Sequence, residues 1–276
     1  MTKVATYSTL GENGRLGNQM FQYATLFSKA KSGGCKFAVP DLAFENGKLF
    51  RYELLNTFSN LSADIVTRES IQDIMSQQRG VYREPSFVYD QNFHLISSHV
   101  DLFGYFQSEM YFKDCRSDII NEFSFDQKVK ASALMMLQEC RKAYPKVCSL
   151  HIRRGDYLNL SDYHTNLDVN YYNPAIQHIM SLTQGNVSFL VFSDDIEWAK
   201  TFIQDRTRVV FSESKDHSVD MCAMSLCDYH IIANSSFSWW GAWLSNSECT
   251  LAPSQWFGPR GPAEWDSVYC QNWLIG

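Results

Sequence analysis

Between Val147 and Pro253 short apolar runs alternate with helix-like segments, and this alternation constrains the fold more than any other feature. "VCSLHI", "VSFLVFS", "RVVFS", "YHIIA" and "CTLAP" read as strands, while "NPAIQHIMSLTQ", "DDIEWAKTFIQ", "SVDMCAMSLC" and "NSSFSWWGAWLS" read as helices between them. Strands separated by whole helices are joined by crossovers, which is the connection a parallel sheet requires. The pattern predicts a parallel sheet with helices on both faces, a Rossmann-like half.

The earlier part of the chain carries the same signals less regularly. "KVATYST" reads as a strand, and "LGENGRLGN" as a turn. A helix is expected from Gln19 to about Lys31, with Met20, Ala24, Phe27 and Ala30 on its apolar stripe. "CKFAVP" and "VDLFGYFQS" read as strands; "RESIQDIMSQQ", "EMYFKDCRSDIINEF" and "QKVKASALMMLQECRKAY" read as helices. Residues 41–100 otherwise give little periodicity. The reading is an α/β chain of two lobes, with an N-terminal lobe over residues 1–140 and a C-terminal lobe over 141–276.

Several function classes are disfavoured at once. Lys and Arg total 24 against 30 Asp and Glu, a net charge of −6, which gives no broad basic footprint for nucleic acid. The start "MTKVATYST" has neither the basic opening nor the apolar stretch of an export signal, and no run reaches the length of a membrane span. A cytoplasmic protein is expected, with peripheral contact at the inner face of the membrane left open. The eight cysteines form no CxxC pair and sit within apolar periods, the usage of reduced core thiols.

Ligands of open α/β sheets bind beyond the carboxyl ends of the strands. Polar clusters fall at those places: "HIRRGD", "FSDD", "IANSSFSWW" and, after the first strand, "GENGRLGNQ". Arg153 and Arg154 offer planar forks suited to an oxyanion, against the plainer reading of a salt bridge to Asp156. Buried cations are costly unless an anion meets them, so a negative group is expected at this strand end. Asn234, Ser235 and Ser236 stand at a helix start, where they can hold phosphate or serve as ordinary caps. Asp194 can accept from a guanine edge or a ribose diol. With Asp195 it can instead cap a helix or hold a divalent cation. Gly14 and Gly17 allow backbone to approach a ligand closely, but "GRLGNQ" is neither a Walker loop nor a GxGxxG fingerprint. Six of the seven tryptophans lie beyond residue 238. The spacing of Trp239, Trp240 and Trp243 favours a helix buried in the core over a sugar-stacking platform. The embedded "RGD" carries little weight in a chain without an export signal.

"GRLGNQMFQYA", "FGYFQSEMYF", "HIRRGDY", "FSDD" and "NSSFSWWGAWL" occur together in an order that resembles the bacterial α-1,2-fucosyltransferases, glycosyltransferase family 11. The resemblance runs from Gly14 to the C-terminal tryptophans. The HxRRxD element is shared with α-1,6- and protein O-fucosyltransferases, whereas the N-terminal and tryptophan motifs point to the α-1,2 group. It implies a GT-B-type fold of two Rossmann-like lobes, the N-terminal one on the acceptor side and the C-terminal one binding the nucleotide. It also implies GDP-β-L-fucose as donor, no metal or other cofactor, inversion at the anomeric carbon, and a galactose-containing glycan acceptor. By the same resemblance Arg153 is expected on the diphosphate with Arg154 beside it, and His151 and Asp194 on guanine. Asn234 is expected among the donor-binding residues, and Ser235, Ser236 and Ser238 at the phosphate. Gly17, Asn18 and Gln19 are expected to close from the other lobe, and Asp156 to serve as general base or as an arginine partner. Other fucosyl linkages, a related GDP-sugar and a non-catalytic carbohydrate-binding protein are the alternatives.

Overall fold

In the computed structural model residues 3–78, 80–203 and 206–276 are described. The chain divides into two compact units, Met1–Ser124 with Glu264–Cys270, and Phe125–Ala263 with Gln271–Gly276.

In the first unit, strand β1 (Val4–Thr6) leads to helix α1 (Leu16–Ser32) and strand β2 (Lys36–Pro40). A hairpin follows, β3 (Ala43–Glu45) and β4 (Lys48–Phe50), turned by Asn46 and Gly47 at φ of 52° and 78°. Two positive φ values in succession are what a two-residue hairpin turn needs, and Asn-Gly supplies them at little cost. The unit continues through α2 (Glu53–Thr57), β5 (Asp64–Val66), α3 (Arg68–Ser76), β6 (Val81–Arg83), β7 (Asp101–Phe103) and α4 (Arg116–Glu122). Its sheet has the order β5-β2-β1-β7-β6, with every pairing parallel. Helix α1 starts three residues before the expected Gln19, and Phe27 on the expected stripe is half-buried while Met20, Ala24 and Ala30 are buried.

The expected strand over "VDLFGYFQS" stops at Phe103. Beyond Gly104 the chain reaches Phe106 at φ 54°, a conformation incompatible with continuing a strand. Phe106 is fully buried against Tyr7, Phe93 and Tyr111, so packing of the ring outweighs the backbone cost. "EMYFKDCRSDIINEF" is likewise split, into short 3-10 turns at Glu109–Tyr111 and Lys113–Cys115 before α4.

The second unit follows the alternation closely. It contains α5 (Gln127–Arg141), β8 (Lys146–Ile152), α6 (Val169–Leu182), β9 (Val187–Ser193), α7 (Ile196–Phe202), β10 (Val209–Phe211), α8 (His217–Ser225), β11 (Tyr229–Ile231), α9 (Ser236–Trp243), β12 (Cys249–Ala252) and β13 (Leu274–Ile275). Of the helix expected over "DDIEWAKTFIQ", Gln204 lies outside the described residues. The sheet order is β10-β9-β8-β11-β12-β13, again parallel throughout. Cys148, Leu150, Ile152, Val187, Phe189, Val191 and Ile231 of its central strands join Tyr172 and Ile179 of α6 in one core. Such continuous apolar strands are expected where both faces are covered. The units divide at Ser124, ahead of the expected boundary at residue 140, because α5 packs on β8, β9 and β10 of the second sheet. All eight cysteines are free.

Trp239 and Trp240 are completely buried, and Trp243 and Trp256 nearly so. They are core residues, and the platform reading of these tryptophans is overturned. Helix α9 comes close to α8 at Gly241, where an added Cβ would lie 2.7 Å from Met224 Cβ and 2.9 Å from its Sδ. The Met224 Cβ is fixed to the backbone of α8 and cannot swing aside. Gly241→Ala is therefore expected to push the helices apart and destabilise the protein by about 1–3 kcal/mol, the usual cost of overpacking. Thermal unfolding measures this directly, and an unchanged midpoint would refute the account.

Candidate functional site

The second sheet has the order 3-2-1-4-5-6 when its strands are counted along the chain from β8. From β8 the chain leaves toward β9 on one side, and from β11 it leaves toward β12 on the other. The crevice beyond their adjacent carboxyl ends is the topological switch point, where such sheets bind ligands. Arg153 and Arg154 follow β8 directly, and Asn234 and Ser235 lie between β11 and α9.

The two arginines are held by three carboxylates. Arg153 Nη1 lies 2.9 Å from Asp194 Oδ2, and its Nη2 pairs with Asp156. Arg154 Nε lies 3.2 Å from Asp195 Oδ2, while its backbone N–H donates to Asp194 Oδ1 at 2.8 Å. Each guanidinium also faces a ring, Arg153 over Tyr157 at 5.1 Å and Arg154 over Trp198 at 3.9 Å. Gly155 lets the carboxylate in, since a Cβ there would lie 2.6 Å from Asp194 Oδ2. Asp194, expected at guanine, thus has both oxygens on the arginine loop. Asp195 also caps α7, its Oδ1 accepting from Trp198 N at 3.1 Å. Among the described residues no group of three or more His, Cys, Asp or Glu side chains is arranged to hold a metal.

His151 sits two residues before Arg153 on β8 and is 6% exposed. Burial, with the Arg153 charge adding to it, pushes its pKa down to about 3, so the ring is neutral. Its Nδ1 is buried without a hydrogen-bond partner, as is Oδ1 of Asn234. Buried polar atoms are rarely left so, and two at one switch point mark places where a ligand can bond. The other end of Asn234 is committed, its Nδ2 donating to Thr165 O and Trp256 O, each at 2.9 Å. Ser235 is the N-cap of α9, its Oγ accepting from Phe237 N at 3.3 Å. Ser236 opens the helix and is half-buried. Ser238 is buried, its hydroxyl donating to Ala233 O and Ser235 O at 3.5 and 3.4 Å.

The remaining expected residues belong to the first unit. Gly14, at φ 92°, turns the chain into α1, and an added Cβ would collide with the Asn18 side chain. Gly17 is buried near the start of that helix. Asn18 Oδ1 accepts from Gln107 Nε2 at 2.8 Å. Gln19 is buried, donating to Gly14 O and accepting from Leu54 N, both at 2.9 Å. It therefore braces the turn against α2. His151, Arg153, Arg154, Asp156, Asp194, Asn234, Ser235, Ser236 and Ser238 all belong to the second unit. Tyr157 and Trp198, which face the guanidinium groups, were not among the expected residues. The signal available for them was position, Tyr157 four residues after Arg153 and Trp198 three after Asp195.

A sequence profile of Glycosyl transferase family 11 matches residues 1–275. An alpha-1,2-colitosyltransferase of Escherichia coli is 31% identical, covering 88% of this chain and 90% of its own. The O-antigen biosynthesis glycosyltransferase WbnK of the same species is 33% identical, covering 91% and 94%. The human galactoside alpha-(1,2)-fucosyltransferase 1 is 26% identical, covering 87% of this chain and 66% of its own. In solved structures, the fucosyltransferase NodZ from Bradyrhizobium aligns with a TM-score of 0.59 at 11% identity, covering 89% of this chain and 94% of that one. POFUT1 in complex with GDP aligns at 0.52 and 11% identity, covering 99% and 97%. The fold is of the GT-B type, two Rossmann-like units in one chain.

Proposed function

On the premise that this chain belongs to glycosyl transferase family 11, we propose that it is an inverting α-1,2-fucosyltransferase. It moves L-fucose from GDP-β-L-fucose to the 2-hydroxyl of a galactose-containing glycan. The observation that carries this reading is the pair Arg153 and Arg154 at the switch point of the second sheet, beside the amino end of α9. The second unit binds the nucleotide, and the first closes over donor or acceptor at Asn18, with the buried Gly17 and Gln19 shaping the turn that presents it.

In the reaction the acceptor oxygen bonds to the anomeric carbon as the bond to the β-phosphate oxygen breaks, and GDP leaves with the electron pair. Negative charge grows on that phosphate. Preorganised guanidinium donors favour the transition state because they bind its charge more strongly than the ground state's. Backbone N–H groups in the first turn of α9, with Ser235 and Ser236, supply further donors to phosphate. The buried hydroxyl of Ser238 serves by shaping this turn. His151 Nδ1 and Asn234 Oδ1, buried and without a partner, are the atoms left to bond nucleotide, with Asp194 reaching guanine only if it loosens from the arginine loop.

Two guanidiniums and three carboxylates leave this cluster net negative, so the diphosphate must take the place of a carboxylate. Asp156 is the exchangeable one, being 51% exposed and bound through an ion pair of the kind that contributes about 0–1 kcal/mol. Asp194, also tied to the Arg154 N–H, stays. Once released, Asp156 takes the acceptor proton.

Incubation with GDP-fucose and an array of galactosides tests the function, GDP release giving the rate and NMR of the product the linkage. Absence of fucosyl transfer to every galactoside would overturn it. The colitosyltransferase relative favours one second reading, transfer of colitose to the same position. Direct competition of the two donors separates them. Neither reading invokes a metal, since the donors to diphosphate are the guanidinium N–H groups and the first-turn N–H groups of α9, and turnover is expected to be unchanged after exhaustive EDTA treatment. Activity lost on chelation and restored by magnesium or manganese would overturn that expectation.

Among the described residues no helix is long and apolar enough to cross a membrane. We place the enzyme in the cytoplasm, meeting glycan acceptors at the inner face of the membrane. Cell fractionation with thiol alkylation tests this, and native disulfides or a periplasmic protein would refute it.

A further inference from the structure

The mechanism leaves Tyr157 without a task, yet its position is specified from three directions. Its ring lies under the Arg153 guanidinium at 5.1 Å. The ring is also stacked on His164, with centroids 4.0 Å apart and planes within 4°. Its hydroxyl donates to Asn234 O at 3.2 Å. One side chain on the loop after β8 is thereby anchored to the segment after β11, across the switch point. His164 is itself fixed, through a bridge with Phe257 and a tilted ring contact at 6.1 Å.

Arg153 needs such a support. Of its carboxylate partners, Asp156 accepts a hydrogen bond from Nη2, while Asp194 is an ion-pair contact 2.9 Å from Nη1. They do not stop the plane from tilting. Asp156 is moreover the partner that gives way to diphosphate in the reaction proposed above. A ring against the guanidinium face restrains the tilt and favours the cation through its quadrupole, without occupying any N–H donor. Burial, helped by Arg153 and opposed by Asp156, lowers the pKa of His164 and favours the neutral ring in this stack.

We propose that Tyr157 is a positioning residue for the catalytic arginine: its ring, stacked on His164 and tethered to Asn234 O, holds the Arg153 guanidinium toward the donor diphosphate when Asp156 lets go. This rests on the function proposed above. Tyr157→Leu is expected to lower kcat about tenfold to thirtyfold, the range of a partly desolvated cation–ring contact, with acceptor KM unchanged. Tyr157→Phe, which keeps the ring, is expected within about threefold of wild type, since a single neutral hydrogen bond is lost.

The deciding measurement is a double-mutant cycle with Arg153→Lys. If Tyr157 acts through Arg153, Tyr157→Leu costs less than about twofold in the lysine background. Equal losses in both backgrounds, or Tyr157→Phe as damaged as Tyr157→Leu, would overturn the proposal. Crystal structures test it independently of the reaction. In Tyr157→Leu the Arg153 guanidinium is expected to leave its wild-type plane, and an unmoved guanidinium refutes the role. Tyr157→Gln serves both measurements if the leucine variant does not fold. A wild-type protein that transfers no fucose would refute the function, while the crystal structures still decide the positioning claim.

Discussion

Arg153→Lys is expected to lower kcat by about 10²–10³-fold, the loss found when one preorganised donor to a transition-state oxyanion is removed, with a smaller change in the KM for GDP-fucose. The charge survives this substitution and the geometry does not. The arginine fork holds Asp194 on Nη1 and Asp156 on Nη2 at once, with its face on Tyr157. A lysine ammonium is a point charge that cannot reach both carboxylates and present a flat face to the ring. Asp194, 27% exposed and still bonded to the Arg154 N–H, would draw the ammonium toward itself and away from the leaving group. An interaction made chiefly in the transition state appears in kcat and in kcat/KM together. Steady-state kinetics with a folded variant checks the expectation. A kcat within a few-fold of wild type would remove Arg153 from the chemistry.

Asp156→Asn carries the other large effect. If the freed carboxylate takes the acceptor proton, kcat is expected to fall by about 10²-fold or more, as when a general base is removed. GDP-fucose affinity should remain within about fivefold, because a half-exposed ion pair contributes about 0–1 kcal/mol. Donor binding by calorimetry and turnover by GDP release separate the possibilities. Loss of binding in parallel with turnover would mark Asp156 as an anchor of Arg153 and not a base. Retained turnover would reject both roles.

The second unit was largely legible because its strands are covered on both faces. "VCSLHI" and "VSFLVFS" correspond to β8 and β9, whose seven residue pairs run from Lys146 with Val187 to Ile152 with Ser193. Burial forces apolar residues at successive positions, and burial is what a sequence reports. The helical spacing of Trp239, Trp240 and Trp243 predicts core, and their burial agrees. The first unit hid more, since its strands other than β2 are three residues long and leave too few positions for a period. The stop at Phe103 depends on the aromatic cluster around Phe106, whose members are distant in sequence. Strand β13 is two residues long and exposed, so nothing in its composition announces it. At the candidate site, strand ends located the charged residues but could not assign partners. Asp194 and Arg153 are separated by a helix and a strand, and their pairing follows from β8 and β9 being neighbours. Tyr157 closes the quoted "HIRRGDY" motif, but sequence gives it no role until its ring is seen against the guanidinium.

The path of the last residues bears on how the protein can be made. Glu264–Cys270 returns to the first unit, where Val268 is fully buried, Cys270 nearly so, and the Ser267 hydroxyl accepts from Tyr89 N at 2.9 Å. Gln271–Gly276 then rejoins the second unit, with Leu274 and Ile275 laid along β12. A ribosome that has released Ser124 has therefore not yet supplied everything the first unit is built from. That unit must wait, with part of its surface unfilled, until more than half of the chain has been added. Expression of residues 1–124 as a fragment would leave the place of Val268 uncovered, so the fragment should aggregate or require the returning segment to be supplied as a peptide. A nascent chain with this routing has reason to linger on chaperones, and a premature stop shortly before residue 264 would damage both units at once.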